Sequence, residues 1–339
     1  MKKFLTILMG LVIAFTTMAL TACSSCAEKG DEQKLSLYTP DGAPALSVAR
    51  LLDDKSIIPE IDINVIDAQT IQGYVGGTNP TADFAILPVN LASKILGNAK
   101  NYKMLGVVTN GNLFLMKKQG GQDITAENIS TVLIGKKVGV INLGNVPGLT
   151  FKAILNDYEI PFVESSQSQY QSDKVNLVAL TDGTEVVPTS DCDYFVVPEP
   201  AASTKNSVTQ GKLSFAGSLQ VLYGDGNGYP QAVLVAKKSV IADNKEVVDK
   251  LVASFAQNKQ WLLDENTTSN TILNAIKSGY TDDLTPAFNA NFLTKQVISN
   301  CAVDFNSASI KKQAVLDYMN KINAVSVGFG LPTDEFFAE

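Results

Sequence analysis

The sequence of 339 residues contains no histidine, and this absence limits the chemistry that the chain can support. Serine and cysteine nucleophiles usually rely on a histidine base, and histidine is the commonest protein ligand of catalytic zinc and iron. We therefore predict that the chain is not an enzyme, and that it holds no metal and no other cofactor.

Arginine is almost as scarce, because Arg50 is the only one in the chain. Arg50 falls in a predicted helix rather than in a loop, so we expect no site that clamps sulfonate or nitrate with arginine. Acidic residues outnumber basic ones by 34 to 27, which gives a formal net charge of −7. A chain of this charge is not expected to bind nucleic acid.

The N-terminus has the layout of a bacterial signal peptide, in which two lysines at positions 2 and 3 precede an apolar run over residues 4–20. The tetrad Leu20-Thr21-Ala22-Cys23 at its end resembles a lipobox. The resemblance implies that residues 1–22 are removed as a signal peptide. It also implies that acyl chains such as palmitate are attached to Cys23.

Residues 23–33 are small, polar and charged, and predict a flexible tether between the lipid and the folded body. Two or more acyl chains hold a protein stably at a bilayer without a transmembrane helix. We therefore predict a protein of the cell membrane that is lipid-anchored on the extracytoplasmic side.

From Lys34 onward, strand-like and helix-like segments alternate, which is typical of an α/β protein with mostly parallel sheets. Turn clusters at 109–112 and 224–229 interrupt this alternation. We predict that residues 34–112 and 229–339 form one lobe and that residues 113–228 form the other. The predicted strands are 35–39, 61–66, 84–87, 102–108, 137–141, 175–180, 194–197 and 231–236, and the main predicted helices are 44–52, 89–96, 148–156 and 244–263.

Four short stretches carry a resemblance to a known family: YTPDGAPA at 38–45, ADFAILPVN at 82–90, GKKVGV at 135–140 and DYFVVPEP at 193–200. In this order they resemble the type II periplasmic binding proteins, and within them the NMT1-like or nitrate, sulfonate and taurine binding proteins of ABC importers. The resemblance implies a two-lobed α/β fold with two mostly parallel sheets flanked by helices.

The same resemblance implies a function. A cleft between the lobes would capture a small organic solute, and the protein would deliver this solute to the permease and ATPase subunits of an importer. We expect it to act as a monomer.

The ligand-binding residues are predicted from the positions of loops. In open α/β sheets, ligands bind beyond the carboxyl ends of the strands, where loops lead into helix N-termini. Four loops of this chain have that position, and the turn cluster at 109–112 adds one residue. The predicted ligand-binding residues are Asp41, Gly42, Ala43, Pro44, Pro88, Val89, Asn90, Asn110, Gly144, Asn145 and Glu199.

Each loop also has a purely structural interpretation. The Asp41-Gly42 pair can be only a tight turn before a helix, Pro88 can simply end a strand, and Gly144-Asn145 is a good helix start in any protein. Glu199 can stabilise a first helical turn by its charge alone. If Glu199 is instead an exposed carboxylate in the cleft, it favours a cationic or hydrogen-bond-donating solute such as a pyrimidine amine.

Two other functions stay open at this point. One is an NMT1-like enzyme of pyrimidine or thiamine-precursor metabolism, although that chemistry draws on histidine and iron. The other is a surface receptor without a transport role. Beyond Cys23 and Cys26, the sequence contains Cys192 and Cys301, which are either a disulfide or two small buried side chains.

Overall fold

A computed structural model describes residues 34–164, 170–224, 226–281 and 283–339. The predicted signal peptide, the lipidation at Cys23 and the tether of residues 23–33 lie outside the described residues. Within these four ranges, no helix is both long enough and apolar enough to cross a membrane.

The strands of the described residues are numbered along the chain. They are β1 (Leu35–Pro40), β2 (Ile61–Ile66), β3 (Phe84–Pro88), β4 (Tyr102–Thr109), β5 (Leu113–Lys118), β6 (Lys137–Ile141), β7 (Phe162–Glu164), β8 (Val175–Leu180), β9 (Tyr194–Pro198), β10 (Leu213–Ser218), β11 (Ala232–Lys237) and β12 (Val303–Ser307).

The helices are numbered in the same way, with two short 3-10 turns at Gly183–Glu185 and Asp334–Phe336. They are α1 (Ala43–Leu46), α2 (Ala49–Asp53), α3 (Ile71–Val75), α4 (Val89–Leu96), α5 (Ile129–Leu133), α6 (Val146–Asp157), α7 (Ala201–Val208), α8 (Leu219–Leu222), α9 (Lys238–Asp243), α10 (Lys245–Leu263), α11 (Ser269–Lys277), α12 (Lys295–Asn300) and α13 (Ala308–Val325).

The described strands form two sheets with related orders. The first sheet has the order β12-β4-β11-β3-β1-β2, and the second has the order β10-β5-β9-β6-β8-β7. Three adjacent strands run parallel in the first sheet and four in the second, and one antiparallel strand, β11 or β5, lies beside them. The predicted α/β fold with two mostly parallel sheets flanked by helices is confirmed.

The central strands β3 and β9 show why this fold could be predicted from the sequence. Residues 84–87 and 194–197 are all buried and apolar, without the alternation of a half-exposed strand. Such runs are typical of parallel sheets that are covered on both faces.

The helix predicted over residues 44–52 is interrupted, because α1 ends at Leu46 and α2 begins at Ala49. The backbone N–H and the hydroxyl of Ser47 both donate to the carbonyl of Pro44, at 3.0 and 2.5 Å. A serine that bonds a nearby carbonyl competes with the regular helical pattern. The result is a tight turn between α1 and α2.

Two crossing segments, residues 110–112 and 228–231, connect the sheets and lie side by side. The carbonyl of Asn110 accepts a hydrogen bond from the N–H of Tyr229 at 3.3 Å. A Cβ on Gly228, whose φ is +75°, would lie 2.0 Å from that same carbonyl oxygen. A Cβ on Gly111, whose φ is +95°, would lie 2.8 Å from the Tyr229 ring. The close approach of the two segments therefore requires glycine at both positions.

The largest hydrophobic core contains residues from both sheets and from the C-terminal helix α13. On α13, the hydroxyl of Tyr318 lies 2.6 Å from the hydroxyl of Thr150 on α6, and both residues are fully buried. Lys321 of α13 forms an ion pair of 2.5 Å with Asp157 at the end of α6. Helix α13 therefore joins the first sheet to a helix of the second.

Cys192 and Cys301 are free thiols in separate cores, one on each sheet. Burial raises the pKa of both thiols, and the nearby negative charge of Glu199 raises the pKa of Cys301 further. A raised pKa keeps each thiol protonated, and the thiolate is the nucleophilic form. Both side chains are therefore small core residues rather than reactive groups.

Candidate functional site

A cleft of about 670 Å³ lies where the two sheets face each other. Its walls come from the turns that follow β1, β3, β6 and β9, and from both crossing segments. Loops at the carboxyl ends of parallel strands thus converge from both lobes, as expected for a ligand site in this class of fold.

Most of the predicted ligand-binding residues line this cleft. They are Asp41, Gly42, Ala43, Pro44, Pro88, Asn90, Asn145 and Glu199.

The other three predicted residues do not line the cleft. Val89 is 1% exposed and turns into the core at the start of α4. Gly144 lies in the same loop as Asn145 but does not line the cleft, whereas Asn142 of that loop does. Asn110 lines a separate cavity of about 440 Å³ at the crossing segments, and its side-chain amide donates to the carbonyl of Asp304 at 3.1 Å.

Asp41 is the carboxylate on the first lobe's side of the cleft. Its Oδ2 accepts a hydrogen bond of 2.8 Å from the backbone N–H of Ala287, whereas its Oδ1 is buried and accepts none from the described residues. Burial raises the pKa of the neighbouring Tyr280, and the negative charge of Asp41 and a hydrogen bond between the Tyr280 side chain and that carboxylate raise it further. Asp41 therefore has one oxygen that a donor on a solute can satisfy.

The crossing segments contribute two amide side chains that were missed in the sequence. The Nδ2 of Asn112 donates to the carbonyl of Glu199 at 3.1 Å, and a carbonyl can only accept. The Oδ1 of Asn112 must then be the acceptor for the Nε2 of Gln231, at 2.7 Å. This chain of bonds fixes the Gln231 amide and leaves its buried Oε1 without a donor among the described residues.

Asn90, at the start of α4, adds a third oxygen of the same kind. Asn90 is 4% exposed, and its Oδ1 accepts no hydrogen bond from the part of the chain that is described. The cleft is thus lined by three residues that each hold a buried oxygen lacking a donor: Asp41, Asn90 and Gln231. An unmet acceptor in a buried position costs about 1–3 kcal/mol, so solute N–H or O–H groups that reach these oxygens are favoured.

Glu199 differs from the expectation of an exposed cleft carboxylate, which was wrong: Glu199 is only 2% exposed. Its Oε2 accepts from the N–H of Ser203 at 3.0 Å, and its Oε1 accepts from the hydroxyl of Ser203 at 2.7 Å and from the amide of Asn300 at 2.9 Å. Since Ser203 lies on α7 and Asn300 ends α12, the carboxylate connects the second lobe to the first.

Basic groups are few in the cleft. Lys94 is the only lysine or arginine among its described lining residues, and Arg50 lies outside it on α2. The Nζ of Lys94 is 5.8 Å from the centroid of the Phe329 ring. Across the described residues, no group of three or more Cys, Asp or Glu side chains has the spacing of a metal site.

Solved structures with the same arrangement of sheets identify the fold. An ABC transporter structure from Parabacteroides distasonis has a TM-score of 0.67 at 19% identity, over 91% of this chain and 99% of that one. A Candida albicans protein described as having the generic periplasmic binding protein fold has a TM-score of 0.50 at 14% identity, over 87% and 90%. This chain has the periplasmic binding protein fold.

A further similar structure was solved with a ligand bound. The alkanesulfonate-binding protein SsuA from Xanthomonas axonopodis pv. citri, bound to MOPS, has a TM-score of 0.57 at 11% identity, over 90% of this chain and 98% of that one. No protein-family model matches the chain, and no curated protein sequence matches it. At these identities the similarity shows the fold.

Proposed function

We propose that this chain is an extracytoplasmic solute-binding protein of an ABC importer, and that it is not an enzyme. The observation that carries the proposal is the cleft of about 670 Å³ between the two lobes, lined from both sides by strand-end loops. A volume in the range of about 300–1,000 Å³ suits a small organic ligand. We assign residues 34–112 and 229–339 to one lobe and residues 113–228 to the other.

The lining groups favour a nitrogen-containing solute with several hydrogen-bond donors. The oxygens of Asp41, Asn90 and Gln231 that lack a donor are all acceptors, and Asp41 adds negative charge. No arginine lies among the described lining residues to clamp a sulfonate or nitrate. An aminopyrimidine is one solute of this class.

The partners follow from the same proposal. The protein would hand its solute to a permease coupled to an ATPase, as a monomer held at the outer face of the membrane by acyl chains on Cys23. Cys23→Ala is expected to move the chain from the membrane fraction to the soluble fraction, because the lipid would be its only anchor. Neighbouring permease and ATPase genes would separate this function from that of a receptor without transport.

A thermal-shift panel tests the solute class. The panel contains 4-aminopyrimidine, cytosine, taurine, ethanesulfonate and nitrate. A solute at 100 times its Kd stabilises the folded chain by about 2.7 kcal/mol, which is a readily measured rise in Tm. We expect the two ring amines to give the largest shifts. Stabilisation by nitrate or ethanesulfonate alone would contradict the proposed class, and no shift with any compound would remove the support for a solute site.

A further inference from the structure

The C-terminal segment 326–333 follows α13 and runs along α4 at the edge of the cleft. The carbonyl of Gly330 accepts from the hydroxyl of Ser93 on α4 at 3.0 Å and from the amide of Asn323 on α13 at 3.2 Å. Further on, the carbonyl of Gly97 accepts from both the N–H and the hydroxyl of Thr333, at 2.7 and 3.0 Å. The segment is thus fixed to both helices rather than free.

Phe329 is presented by a turn that glycine makes possible. Gly328 and Gly330 flank it with φ values of +105° and +69°, and the N–H of Phe329 donates to the Oδ1 of Asn323 at 3.2 Å. Residues with a Cβ rarely adopt such φ values. The turn directs Phe329 to the cleft, which it lines, while Val327 is 90% exposed and Leu331 is 49% exposed.

Phe329 is the one aromatic residue among the described residues that line the cleft, whose other walls are formed by amide, charged, proline and aliphatic side chains. A phenyl ring offers a large, rigid apolar surface at little cost in side-chain entropy. The strand-end loops and the helices that follow them supply hydrogen-bonding groups and aliphatic surface but no aromatic ring.

We propose that Phe329 is a specificity-determining residue of the solute site, which contacts an apolar or planar face of the captured solute. This inference rests on the proposed function. It predicts a solute with two different sides: donors directed to Asp41, Asn90 and Gln231, and an apolar or planar face directed to the C-terminal segment.

The test compares Phe329→Ala, Phe329→Tyr and a control, Val327→Ala, in the full chain. Val327 lies in the same segment but is 90% exposed, so its truncation leaves the cleft unchanged. Each variant is first checked for an unchanged circular dichroism spectrum, and is then titrated calorimetrically with 4-aminopyrimidine, cytosine, taurine, ethanesulfonate and nitrate.

We expect Phe329→Ala to raise the Kd of the ring compounds by about tenfold while changing that of taurine and nitrate by less than about twofold. Phe329→Tyr and Val327→Ala should bind like the original chain. An equal loss for all compounds, or no loss for the ring compounds, overturns the role of Phe329 even though solutes bind. If no compound binds the unaltered chain, the proposed function fails and this inference fails with it.

Discussion

Asp41 and Glu199 are both acidic residues in a turn between the end of a strand and the next helix, one in each lobe. In the first lobe, Asp41 keeps one buried oxygen without a donor. In the second lobe, both carboxylate oxygens of Glu199 accept hydrogen bonds, which Ser203 and Asn300 donate. The role of an acidic residue in this fold is therefore decided by its local hydrogen bonds and not by its position.

Removing Glu199 is expected to have the largest effect. Glu199→Ala leaves the amide of Asn300 and the groups of Ser203 without their buried acceptor, so we expect a loss of about 3 kcal/mol in the free energy of unfolding. Urea denaturation at equilibrium measures this loss. Glu265→Ala is the control, because Glu265 is exposed and should change stability by less than about 0.5 kcal/mol.

Glu199→Gln refines the same test. The amide oxygen of glutamine can accept from Asn300, but its NH₂ group cannot accept from the N–H of Ser203. The loss should therefore be smaller than for alanine but still about 1 kcal/mol or more. Stability equal to that of the original chain would contradict a structural role for this carboxylate.

Asp41 should show the opposite behaviour. Asp41→Asn keeps an oxygen for the N–H of Ala287 but replaces the free carboxylate oxygen with a donor. We expect the affinity for an amine-bearing solute to fall by about 30-fold, since a hydrogen bond to a charged group contributes about 2 kcal/mol.

Calorimetric titration with 4-aminopyrimidine measures the effect of Asp41→Asn, and the unfolding free energy without solute should change by less than about 1 kcal/mol. Asp53→Asn, at an exposed position on α2, serves as the control for loss of charge. Unchanged affinity would mean that the free oxygen of Asp41 does not contact the solute.

The smallest expected effect concerns the contact between α6 and α13. Thr150→Val and Tyr318→Phe each remove one side of a buried hydrogen bond of 2.6 Å, so each should cost about 1 kcal/mol. The double variant should cost less than the sum of the two, with a coupling of about 1 kcal/mol from a double-mutant cycle in urea. Additive losses would show that the hydroxyls act independently.

Much of the fold was predictable, because the strands at the centre of each sheet are short apolar runs between turn signals. The predicted strands at 84–87 and 194–197 correspond to β3 and β9, each within one residue. Strands β5, β7, β10 and β12 were not predicted. Residues 303–307 contain aspartate, asparagine and serine, and they form an edge strand through pairing with β4 rather than through their own pattern.

The cleft was predictable only where local sequence determines it. Turns after strands gave Asp41, Asn90 and Asn145 their positions, and these can be recognised from their neighbours in the chain. The state of Glu199 depends on Asn300, 101 residues away. The turn that holds Phe329 at the cleft depends on hydrogen bonds of Gly330 with Ser93 and of Phe329 with Asn323. Such tertiary contacts have no local signature.

Helix α13 has a consequence for motion between the lobes. Because it packs against β4 of the first sheet and α6 of the second, the lobes do not meet only through two short segments. A rotation that opened the cleft would have to slide a buried helix surface past its neighbour, so the motion would be shear as much as bending. Close-packed helices accommodate small slides by side-chain adjustment and resist large ones. The amplitude of any such opening would therefore depend on how α13 packs against α6 and β4.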